Sequence, residues 1–177
     1  MKMNILTPVN KVDLSIQKNF LKPKGKKLSG LDICLKWAPL LAVFALDAFE
    51  NKSKEKLGKD LVDAGVGILL FNAAVSPLKD SVKRIRPNGK LKSFPSRHTA
   101  ASFLGAEMFR QELKDKHPVW SYAGYAAAIS TATLRLYHNK HWFSDVLTGA
   151  AIGVLSAKLS PVLIDKIIYS TNIQPAV

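Results

Sequence analysis

The chain has 177 residues, enough for one domain with a real core and too few for two. Hydrophobic residues make up 47% of it, and Cys34 is its sole cysteine, so an intrachain disulfide is excluded and that side chain reads as a small buried hydrophobe. The net charge of +13 is uneven along the chain, which sets the basic segments apart from the apolar ones.

Residues 1–30 carry Lys2, Lys11, Lys18, Lys22, Lys24, Lys26 and Lys27 against Asp13 alone. Such a run reads as a solvated basic arm, or as one drawn to anionic lipid headgroups, each cation contributing about 1 kcal/mol near that surface. No nucleic-acid module accompanies the charge, so no nucleic-acid partner is expected. The first apolar run starts only near Ile33, so no signal peptide is expected.

Five apolar stretches follow, roughly Ile33–Phe49, Leu61–Leu78, Thr99–Phe109, Val119–Leu136 and Phe143–Ile168. They are rich in Ala, Leu and Gly and lack strict alternation, which favours helix over strand. Polar breaks at 51–59, 87–89, 114–118 and 139–140 separate them. The expected fold is all-α, a compact bundle of about five to six helices over residues 31–172, with a short tail at 173–177. A bilayer span needs about 20 mostly apolar residues, and charges such as Lys36, Asp47, Asp63, Lys158 and Asp165 dilute these stretches. A membrane-embedded bundle is the expectation, and a soluble or peripheral helical domain the alternative. Thr99–Phe109 is too short to span and reads as an interior helix. Gly149 and Gly153 form a small-xxx-small pair that lets two helices approach closely.

Three polar segments carry the chemistry. In the first, Lys79 and Arg86 are seven apart, two helical turns, which puts both on one face of a helix ending at Pro87, with Lys83 on the same stripe. Alone, this is a solvated basic face. The second, Pro95-Ser96-Arg97-His98, directly precedes an apolar helical run. Unpaired N–H groups at a helix start attract anions, and the Ser96 hydroxyl adds a donor, although plain N-capping by Ser96 fits equally. The third contains Arg135, His141 and Asp145. His141 and Asp145 sit at i and i+4, where a carboxylate can hold the imidazole Nδ1–H and leave the Nε2 lone pair exposed. A surface His–Asp pair is the bland alternative. No set of three or four converging metal ligands is visible, so no metal is expected. Together the segments supply cations, a nucleophile and a proton donor, the parts needed to cleave a phosphate ester.

The combined pattern Lys-x6-Arg-Pro, Pro-Ser-x-His and Arg-x5-His-x3-Asp resembles the signature of the type 2 phosphatidic acid phosphatase superfamily, which includes vanadium haloperoxidases and bacterial acid phosphatases; the resemblance runs from about Lys79 to Gly153. It implies that Lys79, Arg86 and Arg135 bind phosphoryl oxygens together with Ser96 and backbone N–H groups near Arg97. It further implies that His141, oriented by Asp145, attacks phosphorus to form a phosphohistidine, and that His98 protonates the leaving alcohol. No cofactor is implied. The implied substrate is a lipid phosphate of phosphatidate, polyprenyl or lipid A type, hydrolysed at a membrane, with an outward-facing site in a bacterial member. A soluble phosphatase of small esters, a haloperoxidase and a non-enzymatic binder of anionic lipid or nucleic acid are the competing readings. Two positions depart from the family: Arg97 stands where Gly is usual, a place where positive φ would be costly, and Leu134 stands where Ser is frequent.

Overall fold

The computed structural model describes residues 9–20 and 31–171. Among them are six α-helices and one 3-10 turn, with no strand: α1 (Lys11–Phe20), α2 (Leu31–Phe49), α3 (Lys54–Ser81), α4 (Arg97–Leu113), the turn Trp120–Tyr122, α5 (Ala123–Tyr137) and α6 (Phe143–Thr171). The all-α bundle is as expected, and the stretch read as one element from Val119 divides into the turn and α5.

α4 is the interior helix. Nine of its residues from Thr99 to Met108 are buried, and α2, α3, α5 and α6 all pack around it. Small side chains make this possible. Ala100, Ala101, Gly105 and Ala106 let neighbouring backbones close in, while Leu104 and Met108 fill the gaps against Leu40, Val43, Phe71 and Val75. The Gly149/Gly153 pair sits where α6 crosses α4. A Cβ on Gly153 would lie 2.2 Å from the Ala100 carbonyl oxygen, and one on Gly149 would lie 2.5 Å from that of Ser96.

α3 and α6 are long and apolar enough to cross a membrane, over 28 and 25 residues, and outward-facing Leu69, Leu147 and Leu155 are each more than half exposed. Of the charges that dilute the apolar stretches, Asp63 and Lys158 line a recess at one end of the bundle, and Asp47 lies at that end too. There Lys52 bridges Asp47 and Glu112, and Lys56 bridges Asp60 and Glu112, tying α2, α3 and α4 together. Of these carboxylates, Glu112 lies about 22 Å along α4 from its N-terminus, at 1.5 Å per residue.

Two expectations change here. The presumed arm includes α1, whose Asp13 is 2% exposed, because that carboxylate finds donors on α6 and on the loop after α3; the flanking segments 1–8 and 21–30, and the tail at 173–177, lie outside the described residues. Cys34, expected to be buried, is exposed on the first turns of α2.

Candidate active site

The opposite end of the bundle collects the C-termini of α3 and α5, the N-termini of α4 and α6, and the loops 82–96 and 138–142. α3 stops at Ser81, earlier than Pro87, and the chain becomes extended at Val82. It then turns on itself: Arg86 N–H bonds the Lys90 carbonyl at 2.7 Å, Gly89 N–H bonds the Arg86 carbonyl at 2.9 Å, and Ser93 N–H bonds the Arg84 carbonyl at 2.9 Å. Gly89 adopts φ +82°, which only glycine enters without strain. Lys79 and Arg86 therefore do not share a helix face, as the two-turn spacing suggested. The hairpin-like turn brings them to one cavity nonetheless.

This loop is fastened to the segment before α6. Asn88 N–H bonds the Asn139 carbonyl at 3.1 Å, Trp142 Nε1–H bonds the Ile85 carbonyl at 2.7 Å, and Ser96 N–H bonds the Asp145 carbonyl at 2.9 Å. Across a cis Phe94–Pro95 bond the chain enters α4, which Ser96 caps: its hydroxyl lies 3.4 Å from Thr99 N and 2.9 Å from Thr99 Oγ1. Ser96 is fully buried, turned into its own helix. Arg97, the first residue of α4, needs no positive φ, and its guanidinium donates to the Ser76 hydroxyl at 2.9 Å.

A cavity of about 330 Å³ opens between these elements, lined by Lys79, Arg86, Lys92, Arg97, His98, Arg135 and His141. Each lining side chain is a cation or an imidazole, and none is acidic. Such a concentration of positive charge is costly unless an anion sits in it. The Nε of Arg86 is buried without a hydrogen-bond partner among the described residues. The N–H groups of Arg97 and His98, in the first turn of α4, add the positive end of the helix dipole. Arg86 and His141, expected to converge, share this one cavity.

His141 lies two residues ahead of α6, so its relation to Asp145 is not that of neighbours on a helix face. Its Nδ1 is 2.8 Å from the Ser93 carbonyl oxygen and 3.7 Å from Asp145 Oδ2. The carbonyl can only accept, so Nδ1 carries the hydrogen and Nε2 keeps its lone pair. Burial pushes the imidazole pKa down to about 4; the charges of Arg135 and Arg86 push the same way, and Asp145 opposes them. At neutral pH the ring is uncharged, with its lone pair on Nε2. Asp145 itself is fully buried: Oδ2 accepts from Trp142 N–H at 2.8 Å and from the Ser93 hydroxyl, and Oδ1 from Arg84 Nη1 at 2.7 Å.

Arg84 and Asp13 were not singled out by sequence reasoning. Arg84 is 5% exposed and bridges Asp145 to Asp13, whose Oδ2 it reaches at 2.5 Å. The sequence held one faint sign of the first: Arg84 and Arg86 alternate about Ile85, as extended chain would place them. Nothing local marked Asp13.

A model of the PAP2 superfamily matches residues 88–169. Over 150 residues the chain is 37% identical to a Lipid A 1-phosphatase of Porphyromonas gingivalis, covering 84% of this chain and 34% of that protein. The chain thus spans about a third of the length of this curated relative. Among solved structures, the crystal structure of Aquifex aeolicus LpxE aligns with a TM-score of 0.66 at 20% identity, over 88% of this chain and 98% of that one, which shows a shared fold.

Proposed function

The chain belongs to the PAP2 superfamily, and on that premise we propose that it hydrolyses a lipid phosphate ester without a metal, through a phosphohistidine. The observation that carries this reading is the cavity lined only by cations and imidazoles. A phosphate monoester brings about two negative charges, and its transition state spreads them over three equatorial oxygens. Lys79, Arg86 and Arg135 take those oxygens, with the N–H groups of Arg97 and His98 completing the cradle and Ser96 holding that first turn in place. The charge that a metal would supply comes from side chains.

The Nε2 lone pair of His141 attacks phosphorus in line with the leaving oxygen. As the N–P bond forms, the ring becomes positive, and its Nδ1–H is held by the Ser93 carbonyl with the Asp145 carboxylate 3.7 Å away. His98, on the same cavity wall, gives its proton to the departing alcohol oxygen as the P–O bond breaks. It then accepts a proton from the water that attacks the phosphohistidine. Phosphate leaves, and His141 returns to its neutral form.

The lipid part of the substrate follows from the apolar faces of α3 and α6, which end at the cavity's rim, and from the relative named for lipid A. In this reading the bundle is embedded in a membrane with the catalytic end outward. Cys34, exposed near that same end, reports the orientation: a membrane-impermeant maleimide should label it in intact cells, and labelling only after lysis would reverse the assignment.

The test of activity is phosphate release from a panel of lipid and soluble phosphate esters, with EDTA and vanadate arms. Lipid phosphates should be hydrolysed in EDTA, vanadate should inhibit, and His141→Ala should reduce turnover to background. Undiminished turnover by His141→Ala would overturn the mechanism. Faster hydrolysis of small soluble esters than of lipid phosphates would replace the lipid reading with the soluble one.

A further inference from the structure

We propose that α1 is a positioning element for this reaction: Asp13, acting through Arg84, fixes the Asp145 carboxylate and with it the ring of His141. The inference rests on the phosphatase reading above, and three observations carry it.

First, Asp13 is buried in a helix whose Val12 and Leu14 are each about half exposed. A carboxylate leaves water only where donors replace its hydration. Here Oδ1 accepts Ser144 N–H at 2.8 Å, and Oδ2 accepts both the Ser144 hydroxyl at 2.8 Å and Arg84 Nη2 at 2.5 Å.

Second, α6 begins in a way that needs this help. Its first residue is Phe143, and Trp142, in the N-cap position, has no side-chain oxygen to cap with. Asp145, the third helical residue, reaches back to Trp142 N–H at 2.8 Å, which is half of a capping box. In place of an N-cap side chain, Asp13 accepts the N–H of the second helical residue, another of the donors that a helix start leaves unpaired.

Third, the contacts form a continuous path. Arg84 Nη1 donates to Asp145 Oδ1 at 2.7 Å and to the Ser144 hydroxyl at 2.7 Å. The Ser93 hydroxyl donates to Asp145 Oδ2, and the Ser93 carbonyl accepts from His141 Nδ1. Both oxygens of Asp145 are thereby occupied, and the residue that orients the nucleophile is itself held by the residue that α1 restrains. Gln17, one turn after Asp13 on the same face of α1, adds a bond from Nε2 to Asn139 Oδ1 at 3.3 Å, on the loop leading to His141.

The experiment uses the full chain and the Asp13→Asn variant, which keeps an oxygen for Ser144 N–H but removes the charge facing Arg84. Groups that orient a catalytic ligand act on rate by about ten- to a hundredfold, so kcat should fall by that amount while KM and vanadate inhibition stay within about twofold. In an Asp145→Asn background the same change should cost less than about twofold more, because both act through one carboxylate. Undiminished kcat, equal extra loss in the double variant, or a matching loss of vanadate affinity would each overturn the inference. Absence of phosphate release by the native chain would refute the phosphatase reading instead. The imidazole nitrogen resonances of His141 then decide: they should move in Asp13→Asn, and unchanged resonances would overturn the positioning role.

Discussion

Gly149→Ala probes the contact on which the anion cradle's geometry rests. The added Cβ would stand 2.5 Å from the Ser96 carbonyl oxygen and 3.3 Å from Thr99 Cβ. Ordinary contact begins near 3.4 Å, so the two backbones must separate by about 0.9 Å. The oxygen that must yield belongs to the first turn of α4, where it accepts Ala100 N–H at 3.0 Å, and Arg97 and His98 follow it directly. Two stability effects oppose each other. Ala gains about 1 kcal/mol over Gly in a helix, and overpacking costs about 1–3 kcal/mol, which leaves a net loss of about 0–2 kcal/mol. The rate should suffer more, because a displacement of about 1 Å in a catalytic group can cost about a hundredfold, equivalent to about 2.7 kcal/mol. The assay pairs kcat for phosphate release with the thermal midpoint. Gly65→Ala is the control: no atom beyond its own helix lies within 4 Å of its Cβ, so activity should hold and stability should rise by up to about 1 kcal/mol. If Gly149→Ala keeps native kcat, or loses it only in step with Tm, the claim that α6 sets the register of the cradle is wrong.

The pH dependence follows from the buried imidazole. His141 should stay neutral down to about pH 4, and its protonation should limit kcat/KM only near that pH; because the unfolded ring protonates near 6.5, its contribution to stability is complete above 6.5 and declines as pH falls toward 4. A histidine NMR titration that places this ring near 6.5 would contradict its desolvation. Arg97→Gly should lower kcat/KM by about tenfold, mainly through KM, and lessen the sensitivity to salt, since a charge-assisted hydrogen bond is worth about 1.5 kcal/mol. A gain in activity, or a loss confined to kcat, would show that Arg97 does not bind substrate.

Helix existence was legible because it depends on local signals. Ala-, Leu- and Gly-rich runs with polar breaks mark α2 to α6, and the length of Thr99–Phe109 with its small residues marks α4 as interior. The ends were not legible. α3 begins at Lys54, seven residues before the apolar stretch, because Ser53 caps it and Lys56 pairs with Asp60 one turn on and with Glu112 across the bundle. It ends at Ser81 although nothing in Lys83-Arg84-Ile85 breaks a helix. Beyond it the chain is extended, and from there Arg84 pairs with two distant buried carboxylates, Asp13 on α1 and Asp145 on α6.

The same distinction runs through the site. Residue types were readable, since a phosphate ester demands cations and an imidazole whatever the backbone does, and Lys79, Arg86, Arg97, His98, Arg135 and His141 do line one cavity. The geometry assigned to them was not, because i,i+4 spacing has meaning only inside a helix, and α6 starts after His141. The acceptor for Nδ1 turned out to be a backbone carbonyl at Ser93, which carries no signature in any sequence. Asp13 is the extreme case. One carboxylate in a lysine-rich stretch looks like a solvated exception, and only distant donors, Arg84 and the N–H and hydroxyl of Ser144, 131 residues away, give it a reason to be buried. Where a motif spacing fixes the residue type, sequence reasoning finds the residue; where the fold brings a side chain in, as for Lys92 on the cavity wall or for Arg84 and Asp13, it finds neither the residue nor its role.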